Sequence, residues 1–447
     1  MLNKSIVEQY GRLVSYSLPC EGVSLGNFLR AMRGNPRFYW ESSHDDVAFA
    51  GTGIAVELVA YSDRFTSIER QVRELFDGAV ILNDKEPLAA PRLFGGFSFR
   101  DDFIPDETWA DFPPAHFVLP HYQLLQFHGQ TWLTINAHTD DDPESLRDDL
   151  HAALTAKIEQ IKNATLPFSK PQHTYEINYP LSFEAWKAGI HAAIQRMAAG
   201  ELQKVVLARV AEIRFPYHVD VDSALDYLAK VYPQTYRFLF EPRPYHAFYG
   251  ATPELLAGVY GNQVKTMGLA GSIRRGKTPV EDGALTAELL NSPKDRYEHQ
   301  LVVDRIRERL THLTHNLQIA PTGIMTLSNI HHLHTAIEGT LREGVGVLQV
   351  AETLHPTPAL GGEPRDVAMQ IIRESEPVPR GWYAAPVGWI DRNLNGQFSV
   401  AIRSAVAQGK RVWAYAGAGI VPASDPQKEW DETALKFQPM LNALRIG

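Results

Sequence analysis

Two acidic stretches, far apart in the chain, hold the side chains best suited to gripping a metal ion. In SPKDRYEHQLVVDRIRERL, Asp295 and Glu298 stand three residues apart, which puts them on one face of a helix. Ser292 is placed to cap that helix and Pro293 fits its first turn. Tyr297, Leu301, Val302 and Leu310 supply its expected apolar side. Ser292-x-x-Asp295 has the form of a capping box, so Asp295 reads first as a helix-start residue. Glu298 has no such local duty, and a lone Glu is most often solvated. In SDPQKEWDETALKFQPMLNAL, Trp430, Ala434, Phe437 and Leu441 form the expected inward stripe. Glu429, Glu432 and Lys436 line a neighbouring stripe. On periodicity alone, Glu432 and Lys436 make a surface i, i+4 pair contributing roughly 0.2–0.5 kcal/mol.

The segment AGAGIV, just before the second helix, changes that weighing. Gly417 and Gly419 permit close backbone approach, and turn N–H groups there can bind an anion. Carboxylates beside such a segment suit Mg²⁺, which takes one or two protein carboxylates and fills its octahedron with water and substrate oxygens. The cluster His331-His332-x-His334 invites a zinc reading, but no fourth ligand stands near it in sequence, so a zinc site is not expected. In NLNGQFSVAIRSA, Phe398, Val400 and Ile402 alternate with polar and small residues after an Asn395-Gly396 turn. That pattern sets Arg403 opposite the apolar face, as an ordinary exposed strand arginine.

The elements that must position these groups follow from the same patterns. Up to about residue 165, short strand-like runs alternate with turn residues, including a hairpin at His128-Gly129. A polar helix at about 143–163 starts near Pro143. LPFSKPQHTYEINYPLS reads as a linker. Beyond it come a helix ending at Gly200, the strand KVVLARVAEIRF, a hairpin at Gly261-Asn262, and a helix at about 293–314. The Gly/Pro loop HPTPALGGEP, a helix at about 365–375, two strands, and a helix from Pro426 to about Leu444 complete the chain. Strands and helices do not alternate regularly, which gives an α+β class rather than a doubly wound sheet.

Composition bounds the rest. The 447 residues are 44% hydrophobic and 21% charged, with a formal net charge of -9. No long basic run points to nucleic acid or a membrane surface. A single cysteine, Cys20, excludes a disulfide framework. The N-terminus lacks the apolar core of a signal peptide, and no run of about 18 apolar residues occurs. The expected seat is the cytoplasm.

Taken in order, GELQKVVLAR, GATPELL, GLAGSIRRG, SPKDRYEH, HPTPALGG and AGAGIVPASDPQKEWDETALK resemble the chorismate-utilising enzymes, among them anthranilate, aminodeoxychorismate, salicylate and isochorismate synthases. The likeness is dense over about residues 180–445 and looser before. It implies one compact unit with a single large layered β-sheet core wrapped by helices. In it, 1–170 form a β-rich N-terminal region and 175–447 the chorismate-binding catalytic region. It also implies a cleft that holds Mg²⁺ and chorismate, in a monomer that needs no glutaminase subunit.

The resemblance assigns roles residue by residue. Glu298 and Glu432 match the metal ligands, with Asp295 and Glu429 supporting the site through water. Lys204 stands where the ammonia-using members usually carry glutamine and the water-using members carry lysine. A lysine in a partly desolvated cleft can act as general base toward water. Glu254 matches the general acid, and a buried carboxylic acid with a raised pKa can protonate a departing hydroxyl. Arg403 and Tyr383 match contacts to the enolpyruvyl carboxylate. Gly417, Gly419 and Lys436 match groups around the ring carboxylate. Gly271, Ser272, His332, Ala359 and Leu360 match the rest of the pocket. The expected reaction is chorismate to isochorismate, in menaquinone or phylloquinone synthesis, with catechol siderophore synthesis as the other route. Salicylate synthase is the close rival; those enzymes typically read AGT where this chain has Ala270-Gly271-Ser272. Tyr383 does not help exclude it.

Overall fold

The computed structural model describes residues 9–445 except 43, 84 and 165–174. Among the described residues the strands form two large sheets. The 13-stranded sheet includes, in spatial order, Lys204–Arg214, Arg411–Ile420, Ser404–Gln408, His246–Thr252, Tyr236–Arg243, Arg37–Ser42 and Val47–Thr52. The 10-stranded sheet runs Thr314–Ile319, Ile330–Leu341, Gln263–Arg274, Leu255–Tyr260, Gly396–Val400, Pro386–Asp391, Arg92–Phe97, Ala115–Leu119 and Val56–Ala60. Both sheets mix strands from the two ends of the sequence. Aromatic side chains fill the space between them: the ring centroids of Phe49 and Trp389 are 5.4 Å apart, those of Phe49 and Phe94 6.1 Å. Helices cover the outer faces, giving the α+β class. No described helix is long and apolar enough to cross a membrane.

Most element boundaries fall where the patterns put them. The Phe183–Ala198 helix runs into Gly200 at φ +78°, and the helices Pro293–Thr311, Arg365–Ser375 and Pro426–Ala443 are present. The expected polar helix opens with a short 3-10 turn, Pro143–Leu146, and continues as Arg147–Lys162. The expected linker falls outside the described residues as far as 174. Beyond that, Glu176–Asn178 is a strand paired with Lys204–Arg214.

Three faces differ from the periodic reading. Tyr297 is 48% exposed, and the Pro293–Thr311 helix buries Glu298, His299, Val302, Val303, Ile306 and Leu310 instead. Contact with the Gln263–Arg274 strand sets this face. A Cβ on Gly268 would lie 2.8 Å from Val303 Cγ2, and one on Gly271 3.0 Å from Asp295 Cβ. The strand thus lets the helix sink against its backbone. The Pro426–Ala443 helix buries Glu429, Thr433, Phe437 and Met440, leaving Ala434 exposed and Trp430 and Leu441 at the margin. Its face is fixed by Arg209, which bonds Thr433 Oγ1 at 2.6 Å and lies over the Trp430 ring at 3.4 Å. The third is the Gly396–Val400 strand, buried on both faces between two neighbours. It ends before Arg403, which takes φ +49° as the chain leaves one sheet for the other. Arg403 is therefore a buried crossing residue and not an exposed strand arginine.

Candidate active site

The floor of the cleft is built by two antiparallel strands, Lys204–Arg214 and Arg411–Ile420, in which Val206 faces Gly419 and Ala208 faces Gly417. Lys204 is fully buried, with Nζ 2.8 Å from Glu298 Oε1. The two charges are close, but their alignment makes no hydrogen bond, and Nζ has no other partner among the described residues. The neighbouring glycine is what admits this pair. A Cβ on Gly419 would stand 2.2 Å from Glu298 Oε1 and 3.0 Å from Lys204 Cε. The AGAGIV glycines thus allow close approach, here of a carboxylate and a lysine to the strand.

Across the cleft stands Glu254, just beyond the His246–Thr252 strand and 3% exposed. Burial pushes its carboxyl up to about 8, against the opposing pull of Lys204, Lys436 and Arg403. It is mainly protonated at neutral pH, the state a proton donor needs. Glu298 is the counterexample. Burial raises it as well, yet Lys204, Lys294 and Lys436 outweigh burial and hold it below the usual carboxylate value.

A polar line crosses the remaining wall. Arg403 approaches His332 Nε2 at 3.4 Å, and His332 Nδ1 lies 2.9 Å from Ser272 Oγ. Burial, reinforced by the Arg403 charge, keeps His332 neutral. The Arg403 donor at Nε2 then assigns the ring proton to Nδ1, which donates to Ser272. Gly271, at φ +77°, forms the bulge that turns Ser272 into register with His332. Tyr383 stacks on Tyr415 with ring centroids 5.0 Å apart, and burial raises its phenol to about 12. Lys436 Nζ donates to the Gly417 carbonyl at 2.9 Å and pairs with Glu432 Oε1 at 2.6 Å. The i, i+4 pair read from the sequence therefore exists, but both side chains line the cleft instead of the outer surface.

Together these groups line one open cleft of about 550 Å³, a figure that includes space open to solvent. The lining includes Glu254, Gly271, Ser272, Glu298, His332, Ala359, Leu360, Tyr383, Arg403, Gly417, Gly419, Glu432 and Lys436. Lys204 is not itself among the lining: it is fully buried, and reaches the cleft only through the lining Glu298, 2.8 Å from its Nζ. Asp295 and Glu429 stand behind the lining. Ser292 caps the helix by accepting from the Asp295 N–H at 3.3 Å, but only half of the capping box forms: the Asp295 carboxylate accepts from the Ser292 hydroxyl, while the Ser292 N–H goes to the Leu289 carbonyl. Glu429 is held by Lys294 at 2.6 Å. Sequence reasoning missed Lys294, although it adjoins Asp295. It also missed Val206, Leu269, Ala270 and Ile402 in the lining. Val206 shares a strand face with Lys204, a period-2 signal that was there to be read.

The four carboxylates crowd one another. After burial, Glu432 is the next cause that pushes Glu429 up, and Glu298 and Glu432 add to the rise at Asp295. Among the described residues no three His, Cys, Asp or Glu side chains converge as a ready metal cage. Mg²⁺ does not require one, since two carboxylates with water and substrate oxygens suffice. Glu298 and Glu432 line one cleft, and the mutual repulsion that still raises Glu429 and Asp295 behind them fits such an ion. The three histidines diverge: His331 bonds Asp282 at 2.9 Å, His332 faces the cleft and His334 does neither.

The profile described as Chorismate binding enzyme matches residues 2–445. The chain is 32% identical over 459 aligned residues to isochorismate synthase MenF of Bacillus subtilis strain 168, covering 99% of this chain and 96% of that one. It is 35% identical over 420 residues to the salicylate biosynthesis isochorismate synthase of Pseudomonas aeruginosa PAO1, covering 92% and 85%. The menaquinone-specific isochorismate synthase MenF of Escherichia coli matches the fold with a TM-score of 0.80 at 25% identity, over 97% of this chain and 94% of that one. Anthranilate synthase component I of Streptococcus pneumoniae TIGR4 shares the fold, with a TM-score of 0.68 at 19% identity over 90% and 93%. A profile spanning nearly the whole chain, full-length relatives and a matching two-sheet core agree: the chain belongs to the chorismate-binding enzyme family.

Proposed function

We propose that this chain is an isochorismate synthase, an isomerase that converts chorismate to isochorismate, and that it serves menaquinone or phylloquinone synthesis. The observation that carries the mechanism is an amine, Lys204, buried against the cleft-lining Glu298, together with Glu254, a lining carboxylic acid held protonated by burial. Lys204 takes a proton from water, and the water oxygen bonds to ring C2. The double bonds shift, the C4–O bond breaks, and Glu254 protonates the departing hydroxyl. Base and acid fixed around one ring supply the proximity part of the rate. Arg403, with Tyr383 beside it, receives the enolpyruvyl carboxylate, a planar anion that suits the guanidinium fork. Lys436 and the 417–419 backbone receive the ring carboxylate. Glu298 and Glu432 would hold Mg²⁺, with Asp295 and Glu429 behind them; when bound, the ion neutralises the ring carboxylate's charge.

Support for water over ammonia as nucleophile comes from lysine at 204 and from relatives named as isochorismate synthases. We place the reaction in the cytoplasm, in a chain that acts without a glutaminase subunit. Purified protein given chorismate and Mg²⁺, with products resolved by chromatography, tests the proposal. Isochorismate free of salicylate and pyruvate is expected. Salicylate with released pyruvate would make it a salicylate synthase, and anthranilate formed with ammonia would overturn the role of Lys204.

A further inference from the structure

The strand that begins at Lys204 has an incomplete neighbour on one edge. Gly362–Glu363 pairs with its first two residues and Glu176–Asn178 with its last three. Between them, among the described residues, no strand covers 206–211 on that edge. An uncovered strand inside a protein leaves buried N–H and C=O groups to be satisfied by other means. Here a side-chain pair supplies them. Glu376 Oε1 accepts from the Ala208 N–H at 2.8 Å. Arg380 donates to the Val206 carbonyl at 2.8 Å. The two side chains are locked together through Arg380 Nε to Glu376 Oε2 at 2.9 Å and a second bond at 2.6 Å.

Arg380 also reaches a second segment. It donates to the Leu360 carbonyl at 2.9 Å, and Phe99 backs the guanidinium at 4.3 Å. Val206 and Leu360 both line the cleft, whereas Arg380 and Glu376 do not. The Arg380 carbonyl accepts from the N–H of Tyr383, a third lining residue, at 2.9 Å. One buried guanidinium therefore ties the base-bearing strand to the Ala359–Leu360 wall, at a residue whose own backbone carbonyl holds the turn that presents Tyr383. A lysine there keeps the charge but, as a point donor on a flexible stem, cannot span the same planar set of acceptors.

We propose that Arg380, oriented by Glu376, is a positioning residue that holds the Ala359–Leu360 wall in register with the strand carrying Lys204, and so sets how chorismate lies over the base. This rests on the isochorismate synthase reading above. The test uses the full chain with saturating Mg²⁺, measuring kcat, KM for chorismate and Tm for wild type, Arg380→Lys, Glu376→Gln and Phe99→Leu, with kinetics taken well below every Tm. Small misplacements far from the chemistry can cost about a hundredfold. Arg380→Lys is expected to lower kcat at least about tenfold and raise KM several-fold, with Glu376→Gln changing both in the same direction by less. Phe99→Leu removes the backing ring but none of the hydrogen bonds. It is expected to lower Tm while kcat and KM stay within about twofold.

The proposal is overturned if folded Arg380→Lys and Glu376→Gln both keep kcat and KM within twofold of wild type. It is equally overturned if Phe99→Leu, at a matched loss of Tm, reproduces their kinetic losses, because the effect would then be general destabilisation. Should Arg380→Lys fail to fold, the near-isosteric Glu376→Gln decides by the same twofold criterion. If the wild type itself makes no isochorismate, it is the functional reading that fails. Direct chorismate binding to the same variants then reads positioning separately: a weakened Kd supports it and an unchanged Kd overturns it.

Discussion

The two walls of the cleft treat the same functional group in opposite ways. On one, each glutamate has a lysine: buried Glu298 with Lys204, buried Glu429 with Lys294, and half-buried Glu432 with Lys436. On the other, Glu254 has no ion-pair partner among the described residues, and burial keeps it mainly protonated at neutral pH. Glu298 and Glu254 are both nearly fully buried, and one is held below its ordinary pKa while the other is pushed to about 8. Burial alone does not decide ionisation: cations outweigh it at Glu298, whereas at Glu429 burial and the neighbouring Glu432 outweigh Lys294 and push the carboxyl up to about 7. The paired wall can bind cations and anions, and the unpaired wall can deliver a proton.

The largest effects should come from breaking the contrast at its two poles. Lys204→Ala is expected to abolish measurable turnover, a loss on the order of 10²–10⁴-fold or more, with the far-UV spectrum unchanged. Turnover within tenfold of wild type would remove Lys204 from the mechanism. Glu254→Gln keeps the shape and removes the proton, and kcat should fall by a similar order.

The wild-type pH profile sharpens the same point. Because the acid must be protonated, kcat should decline as pH rises through about 8. Stability follows the same sign. The folded pKa of Glu254 lies above its unfolded value, so the native state binds the extra proton. Stability from this group is therefore lost as pH rises from the ordinary carboxylate range through about 8. Glu254→Gln should accordingly gain Tm relative to wild type at pH 9 and not at pH 5. A constant Tm difference between the two pH values would mean that Glu254 is ionised throughout.

On the paired wall, Glu298→Gln or Glu432→Gln should weaken Mg²⁺ affinity at least about tenfold by calorimetry, more than Asp295→Asn does, since outer-shell changes typically cost 10–100-fold. Equal losses at Asp295 and Glu298 would erase the distinction between ligand and support.

Much of this architecture could be read from the chain, and the failures share one cause. Helix ends were legible because capping chemistry is local, as at Ser292 and Gly200. Helix faces were not. Tyr297 and Ala434 looked inward because apolar residues usually do, yet the buried faces carry Glu298 and Glu429. A functional site buries the polar residues that periodicity assigns to solvent, so the pattern fails where the chemistry lies. Arg403 shows the same limit in the backbone: a left-handed crossing between sheets cannot be seen in an alternating sequence. The roles of Lys204 and Glu254 came from motif resemblance. No spacing rule joins a residue that opens one strand to another 50 positions on, in the link between two others.

The smallest effect tests the paired wall through its glycines. Gly419 and Gly417 are two residues apart on one strand, and a Cβ meets different surroundings at each. At 419 it would lie 2.2 Å from Glu298 Oε1, so the carboxylate must leave its place beside Lys204. At 417 the nearest atoms are Leu207 O at 3.2 Å, Val206 Cγ1 at 3.3 Å and the Tyr383 hydroxyl at 3.4 Å, a tight fit that displaces no charge. Gly419→Ala should therefore cost both Mg²⁺ affinity and kcat, by about tenfold or more, while Gly417→Ala should raise KM only a few-fold and leave Mg²⁺ binding alone. Calorimetric titration of Mg²⁺ into both variants separates the cases. If the two bind the ion equally well, Glu298 does not depend on the bare backbone at 419, and the close Lys204–Glu298 approach is incidental to the site.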